Sequence, residues 1–181
     1  MLFGEPDRWA RLMETLVVVL SRYLRAQVAA GVDVVQLFDS WAGALAPADY
    51  ARAVLPYTAR IFASLDDLEV PRIHFATGNP LLLPALGRAG AEAVSVDWRV
   101  PLDEAWVLAG TDLAIQGNLD PGICLAPFSV VADAAREVLR LAGGRPGHIF
   151  NLGHGVLPET DADTLARLVT LVREDTAAVA A

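Results

Sequence analysis

His148-Ile149-Phe150-Asn151-Leu152-Gly153-His154-Gly155 is a strand-forming run that breaks into a histidine held between two glycines, followed by Pro158 and a helical pattern. Glycine leaves the backbone permissive and sterically open, and imidazole donates, accepts or titrates near neutral pH. The exit of this run therefore reads as a site. Four earlier runs have the same apolar, β-branched character, at residues 32–38, 72–77, 93–98 and 113–118. Helical patterns lie between them. The closest run starts are about twenty residues apart, room for a crossover helix and too long for a hairpin, so parallel strands are expected. Near-continuous apolar runs imply burial on both faces, as in a doubly wound sheet or a (β/α)8 barrel.

Outward from the runs, the punctuation is helical. Residues 5–30 carry Leu12, Leu16, Val19, Leu20, Tyr23 and Leu24 at spacings that predict one buried face, and Gly31 ends the helix. Residues 47–65 predict a second helix. Asn79-Pro80 is an N-cap with proline in the first turn, closed by Gly90. Pro101 and Gly110 bracket another helix, residues 127–141 stop at Gly143-Gly144, and the last helix follows Thr160-Asp161 with Leu165, Leu168, Val169 and Val172 on one side. The order is one helix and then five βα units, read as a single domain over residues 1–181.

Composition narrows the chemistry. The chain has 181 residues, 54% of them hydrophobic and 20% charged, enough for one substantial core. No apolar stretch reaches the roughly 18 residues of a membrane span, and Glu5, Pro6 and Asp7 stand where a signal peptide needs basic and apolar residues, so a cytoplasmic protein is expected. Cys124 is the single cysteine, which excludes an internal disulfide and a multi-cysteine zinc site. All fourteen basic residues are arginine, so Schiff-base lysine chemistry and lysine-dependent phosphate loops are absent. A net charge of −8 argues against nucleic acid and anionic membranes.

Ligands of parallel α/β folds gather at the strands' C-terminal ends. Those ends read Asp39-Ser40-Trp41, Thr77-Gly78-Asn79, Asp97-Trp98-Arg99, Gly117-Asn118-Leu119-Asp120 and Gly153-His154-Gly155. His74 and His148, inside and at the start of strands, read as structural. Asp39 and Asp97 have cap or ion-pair readings equal to a ligand reading, Asn118 and Asp120 before Pro121 read more as a turn than as ligand groups, and tryptophans 41, 98 and 106 fill cores more often than they bind ligands. Gly78 and Gly117 are too isolated for a phosphate loop.

Three blocks, Gln36-Leu37-Phe38-Asp39-Ser40-Trp41-Ala42-Gly43, Gly117-Asn118-Leu119-Asp120-Pro121 and Asn151-Leu152-Gly153-His154-Gly155, resemble uroporphyrinogen decarboxylase in order and spacing. Support comes from Val96-Asp97-Trp98-Arg99 and Pro101-Leu102-Asp103-Glu104-Ala105-Trp106. The resemblance covers essentially the whole chain, but only the C-terminal half of the family's barrel. It implies a partial (β/α)8 TIM barrel holding strands four to eight and lacking the first three βα units.

The implied activity is the cofactor-free conversion of uroporphyrinogen III to coproporphyrinogen III in haem biosynthesis, by removal of four acetate carboxyls. Two substrate-binding residues carry over, Ser40 and His154; no catalytic residue and no metal ligand is assigned in this half. The family's arginine-rich loop, an aspartate and a tyrosine belong to the half not matched, so inactivity of this chain alone is expected. A homodimer is expected once that half is supplied. The alternatives are a non-catalytic truncated fragment acting as an interaction partner and, behind it, a corrinoid-linked methyltransferase, which would require a cysteine and histidine zinc site.

Overall fold

A computed structural model gives the structure of residues 1–180, with side chains through residue 177. The element order is α1 (Pro6–Ala29), β1 (Val35–Asp39), α2 (Pro47–Ala53), α3 (Leu55–Ala63), β2 (Arg72–Ala76), α4 (Leu83–Leu86), β3 (Ala93–Ser95), α5 (Leu102–Ala109), β4 (Ala114–Leu119), α6 (Phe128–Ala142), β5 (His148–Leu152) and α7 (Ala162–Ala180). Short 3-10 turns follow β1, β2 and β4. The strands follow chain order, β1-β2-β3-β4-β5. Parallel strands alternating with helices are the fold of a partial (β/α)8 barrel, as expected. The chain divides into two compact units, Met1–Val94 and Ser95–Ala181.

In the first unit β1 and β2 pair in parallel, Val35 opposite Arg72 through Asp39 opposite Ala76. β1 starts three residues later than the apolar run because Val32 and Val34 remain exposed. Helix α1 packs on this pair with part of the expected face, Leu24 in the core and Leu20 against it, and with a neighbouring stripe in place of the rest. Met13, Val17 and Leu24 are buried, while Leu12, Leu16, Val19 and Tyr23 are exposed. The helix carries two apolar stripes, and the one that joins Val35, Ile61, Leu65 and Val70 in a core is the Val17 and Leu24 stripe. Removing a fully buried side chain such as Leu65 from this core would cost about 2–5 kcal/mol.

The expected helix over 47–65 is two helices. Pro56 has no N–H to give and its ring crowds the carbonyl of Arg52, so the backbone departs from helical angles at Val54 (φ −124°, ψ −54°) and restarts. At the start of β2, the Arg72 guanidinium reaches the Phe62 carbonyl (3.0 Å), Asp66 (2.5 Å) and Glu92. It ties α3, β2 and the approach to β3 together.

In the second unit β4 and β5 pair in parallel, Ile115 opposite His148 through Leu119 opposite Leu152. The 148–152 strand has the bounds its sequence run implied. Trp106 of α5 is 2% exposed, donates from Nε1 to the Leu113 carbonyl (2.8 Å), and has the Arg145 guanidinium 4.1 Å above its ring. Gly143 ends α6 in the left-handed conformation (φ 64°), which glycine adopts without a Cβ penalty.

Candidate functional site

In the first unit the chain leaving β1 is fastened to the chain leaving β2. The Thr77 hydroxyl donates to the Ser40 carbonyl (2.7 Å), and the Asn79 amide donates to the Leu45 carbonyl (3.2 Å). Asn79 also accepts from the Leu81 amide (3.1 Å), the N-cap that Asn79-Pro80 implied. Gly43 lies so close to the second exit that a Cβ there would stand 2.2 Å from the Thr77 carbonyl oxygen. Only glycine fits. Ser40 is thus half-buried on a turn with little freedom, and Trp41 beside it is 90% exposed rather than in the core.

Behind Ser40 lies a buried polar group that sequence reasoning missed. Tyr50 of α2 is fully buried and faces Asp39 at the end of β1, and Thr58 of α3, also buried, lies against the Tyr50 hydroxyl. Burial raises the Asp39 carboxyl above the usual carboxylate range, opposed by the Tyr50 hydroxyl; burial and the Asp39 charge together push the Tyr50 phenol up. Asp39 Oδ2 and the Tyr50 hydroxyl are both buried, and each shifts the titration of the other. The available signal was a tyrosine at the second turn of a helix whose start, Pro47, was already legible.

The second unit holds three exits. Asn118, 6% exposed, donates from Nδ2 to the carbonyls of Asp97 (3.0 Å) and Val100 (2.8 Å), bracketing the turn after β3. Within that turn Asp97, also 6% exposed, accepts from the Arg99 amide (3.0 Å) and from Arg99 Nη1 (2.5 Å). The guanidinium lies 4.3 Å over the Trp98 ring. Asp120 accepts from the Gly122 amide (2.8 Å) and caps the turn after β4. Asn118 and Asp120 hold turns together, the turn-forming role weighed for both.

The Gly153-His154-Gly155 exit is not open in the way its composition suggested. Gly153 is buried, donates to the Leu119 carbonyl (2.7 Å), and a Cβ on it would stand 2.7 Å from the Trp98 nitrogen and 3.1 Å from the Asp97 backbone. It is glycine for close approach. Gly155 has nothing within 4 Å of a Cβ, and His154 between them is exposed. His154 therefore rides on a rigid first residue and a free second one. Ser40 and His154 belong to different units, each at a strand exit.

The other histidines are elsewhere. His148 Nε2 lies 2.9 Å from the Gly117 carbonyl, and burial lowers its pKa. His74 is fully buried, edge-on to Phe62 at 5.4 Å, its pKa pressed down to about 4 by burial, which the Leu86 backbone only partly opposes. A recess of about 570 Å3 opens under His148 between Arg136, Arg140 and Arg145. It lies at the start of β5, a strand length of about 16 Å from the exit that bears His154, and its cations are engaged with Asp175, Glu137 and Trp106. Cys124 is buried, and burial raises its thiol pKa. Among the described residues no three His, Cys, Asp or Glu side chains converge as a metal cluster, and no helix is long and apolar enough to cross a membrane.

Comparison with known proteins places this geometry. A family model described as uroporphyrinogen decarboxylase matches residues 1–175. The chain is 53% identical over 177 residues to a uroporphyrinogen decarboxylase of Streptomyces griseus, covering 98% of this chain and 48% of that protein. It is 51% identical over 177 residues to one of Thermobifida fusca, covering 98% and 49%. The chain thus spans about half the length of the curated relatives it matches. Among solved structures, a methyltransferase from Methanosarcina mazei superposes with a TM-score of 0.77 at 21% identity, covering 87% of this chain and 47% of that one. At that identity the likeness is one of fold.

Proposed function

The chain belongs to the uroporphyrinogen decarboxylase family, and from that membership we propose that it acts on uroporphyrinogen III, removing its four acetate carboxyls to give coproporphyrinogen III in the cytoplasm. In this reading residues 1–181 form one side of a barrel that, with the segment matching the rest of its relatives' length, makes the active site and a homodimer.

The chemistry fits residues that position, not residues that carry electrons. Protonation of a pyrrole makes the ring an electron sink; the bond between the acetate methylene and its carboxylate then breaks, carbon dioxide leaves, and the electron pair enters the ring. The exocyclic methylene next takes a proton and the ring gives its own back. Each turnover converts an acetate and one proton into a methyl group and carbon dioxide. Held geometry and matched charge are what a protein adds to such a step. Ser40, on its fastened turn, and His154, seated by Gly153, are the proposed substrate contacts.

The observation that supports this most is the fit of the Gly153-His154-Gly155 exit against the Asp97-Trp98-Arg99 turn, within a chain matched along 1–175. The test is chromatographic separation of the products by carboxylate number after anaerobic incubation with uroporphyrinogen III. The chain is assayed by itself and mixed with the N-terminal half of the Streptomyces griseus relative. Turnover in the mixture that falls at least about 100-fold with Ser40→Ala and His154→Ala combined is the expected result, the scale of lost positioning groups. Turnover unaffected by both substitutions overturns the site assignment.

A further inference from the structure

Within the second unit, six arginines are described, and five of them lie on α6, α7 or the loop between α6 and β5. Arg99 alone among these is carried on a strand exit. Three independent features hold it there. The buried Asp97 carboxylate takes its backbone amide and its Nη1. The guanidinium carbon lies over the Trp98 ring, 4.3 Å from its centroid. The turn itself is locked from outside, by Asn118 on the Asp97 and Val100 carbonyls and by Gly153 against the Trp98 amide. Despite these contacts the side chain keeps 47% of its surface open, while Asp97 keeps 6%.

A buried carboxylate that exists to fix an arginine, and an arginine left half-exposed after being fixed, form an anchored cation. Guanidinium has five donors in a rigid fork, and Asp97 engages one terminal nitrogen, so donors remain for a second, planar carboxylate. Stacking on Trp98 removes rotamers that a solvent-exposed arginine would otherwise lose on binding, which lowers the entropic cost of capture. The Gly153 contact places this cation on the turn that packs directly against the residue before His154.

We propose that Arg99 is a specificity-determining receptor for a peripheral carboxylate of the substrate, acting beside His154, with Asp97 and Trp98 as its positioning residues. The inference rests on the tetrapyrrole reading given above. It adds a cation from this half of the site, where Ser40 and His154 supply none of fixed charge.

The test mixes the full chain with the N-terminal half of the Streptomyces griseus relative and adds uroporphyrin, the unreactive oxidised form of the substrate class, followed by its own fluorescence anisotropy. Coproporphyrin, with fewer carboxylates, is the second probe. Wild type is expected to bind uroporphyrin more tightly than coproporphyrin. Arg99→Gln is expected to weaken uroporphyrin about tenfold, the worth of one charge-assisted bond, and to flatten the salt dependence. Arg99→Lys should fall between, because it keeps the charge and loses the fork. Arg88→Gln, at an exposed position on the other unit, makes the same charge change and should bind as wild type does. Binding by Arg99→Gln equal to wild type, or a loss that Arg88→Gln reproduces, overturns the role of Arg99 and leaves the substrate reading standing. A wild-type mixture that binds neither porphyrin sinks the substrate reading, and Arg99's role with it.

Discussion

Gly153 and Trp98 meet backbone to backbone: a Cβ on Gly153 would stand 2.7 Å from the Trp98 nitrogen, a separation that folded proteins do not tolerate. The contact makes the β5 exit and the β3 exit one rigid body within the second unit. Gly153→Ala must push them apart, at about 1–3 kcal/mol by the usual cost of overpacking. Gly155→Ala, with open space around its Cβ and ordinary backbone angles, should stay within about 0.5 kcal/mol of wild type. Thermal melts of the two variants check the contrast, and equal melting temperatures would refute it.

Asn118 holds two carbonyls with one amide group. Asn118→Ala leaves both buried acceptors short of a donor, at about 2 kcal/mol or more, which for a chain of this size lowers the melting temperature by about 4–8 °C. Asn118→Asp should be worse, because it aims a charge at two carbonyl oxygens. A melt in which the aspartate variant matches wild type would show that the amide does not carry the turn.

His74 is buried and neutral, with a folded pKa of about 4 against an ordinary value near 6.5. The unfolded chain therefore takes up a proton that the folded chain refuses, and stability contributed by this site is intact above pH 6.5 and falls as pH drops from there toward 4. The limiting slope is about 1.4 kcal/mol per pH unit. Urea unfolding of His74→Leu at pH 7 and pH 5 should show a smaller acid loss than wild type. An identical loss would place the acid sensitivity elsewhere.

Asp39 has the opposite sense. Its folded pKa lies above the unfolded one, because burial opposes the carboxylate more than Tyr50 supports it. The folded state holds the proton longer, so this site's contribution is present at low pH and is lost as pH rises through and beyond the ordinary carboxylate range. Asp39→Asn is therefore expected to be more stable than wild type at pH 7 and to lose that advantage near pH 3. Denaturant midpoints at the two values decide it, and a variant less stable at pH 7 would mean that the charged form is needed.

How far the sequence could be read depends on what each residue must know about its surroundings. Strand β5 was legible because its residues and the glycine after it are a local signal, and the Asn79, Gly110 and Gly143 helix ends were legible for the same reason. The buried face of α1 was not, since Leu12, Leu16, Val19 and Tyr23 are spaced as well for a helix face as Met13, Val17 and Leu24 are, and only β1 and α3 choose between them. The exit residues Ser40 and His154 were legible as positions. The reason for Gly153 was hidden in Trp98, fifty-five residues away in the chain, and the buried Tyr50 opposite Asp39 depends on a helix break that Pro56 announced but whose packing it did not.

That break has a temporal consequence. Helices α2 and α3 have seven and nine residues, below the length at which a helix persists in water by itself, so on a growing nascent chain they wait for a partner. Helix α1 provides the first, through Trp9 on the Ala53 carbonyl and Glu14 on Arg60, and Arg72 adds the Phe62 carbonyl and Asp66 just after α3. The turn that bears Ser40 is fastened only when Thr77 arrives behind it. The first strand of the chain to be synthesised is thus among the later parts of its unit to acquire its final shape.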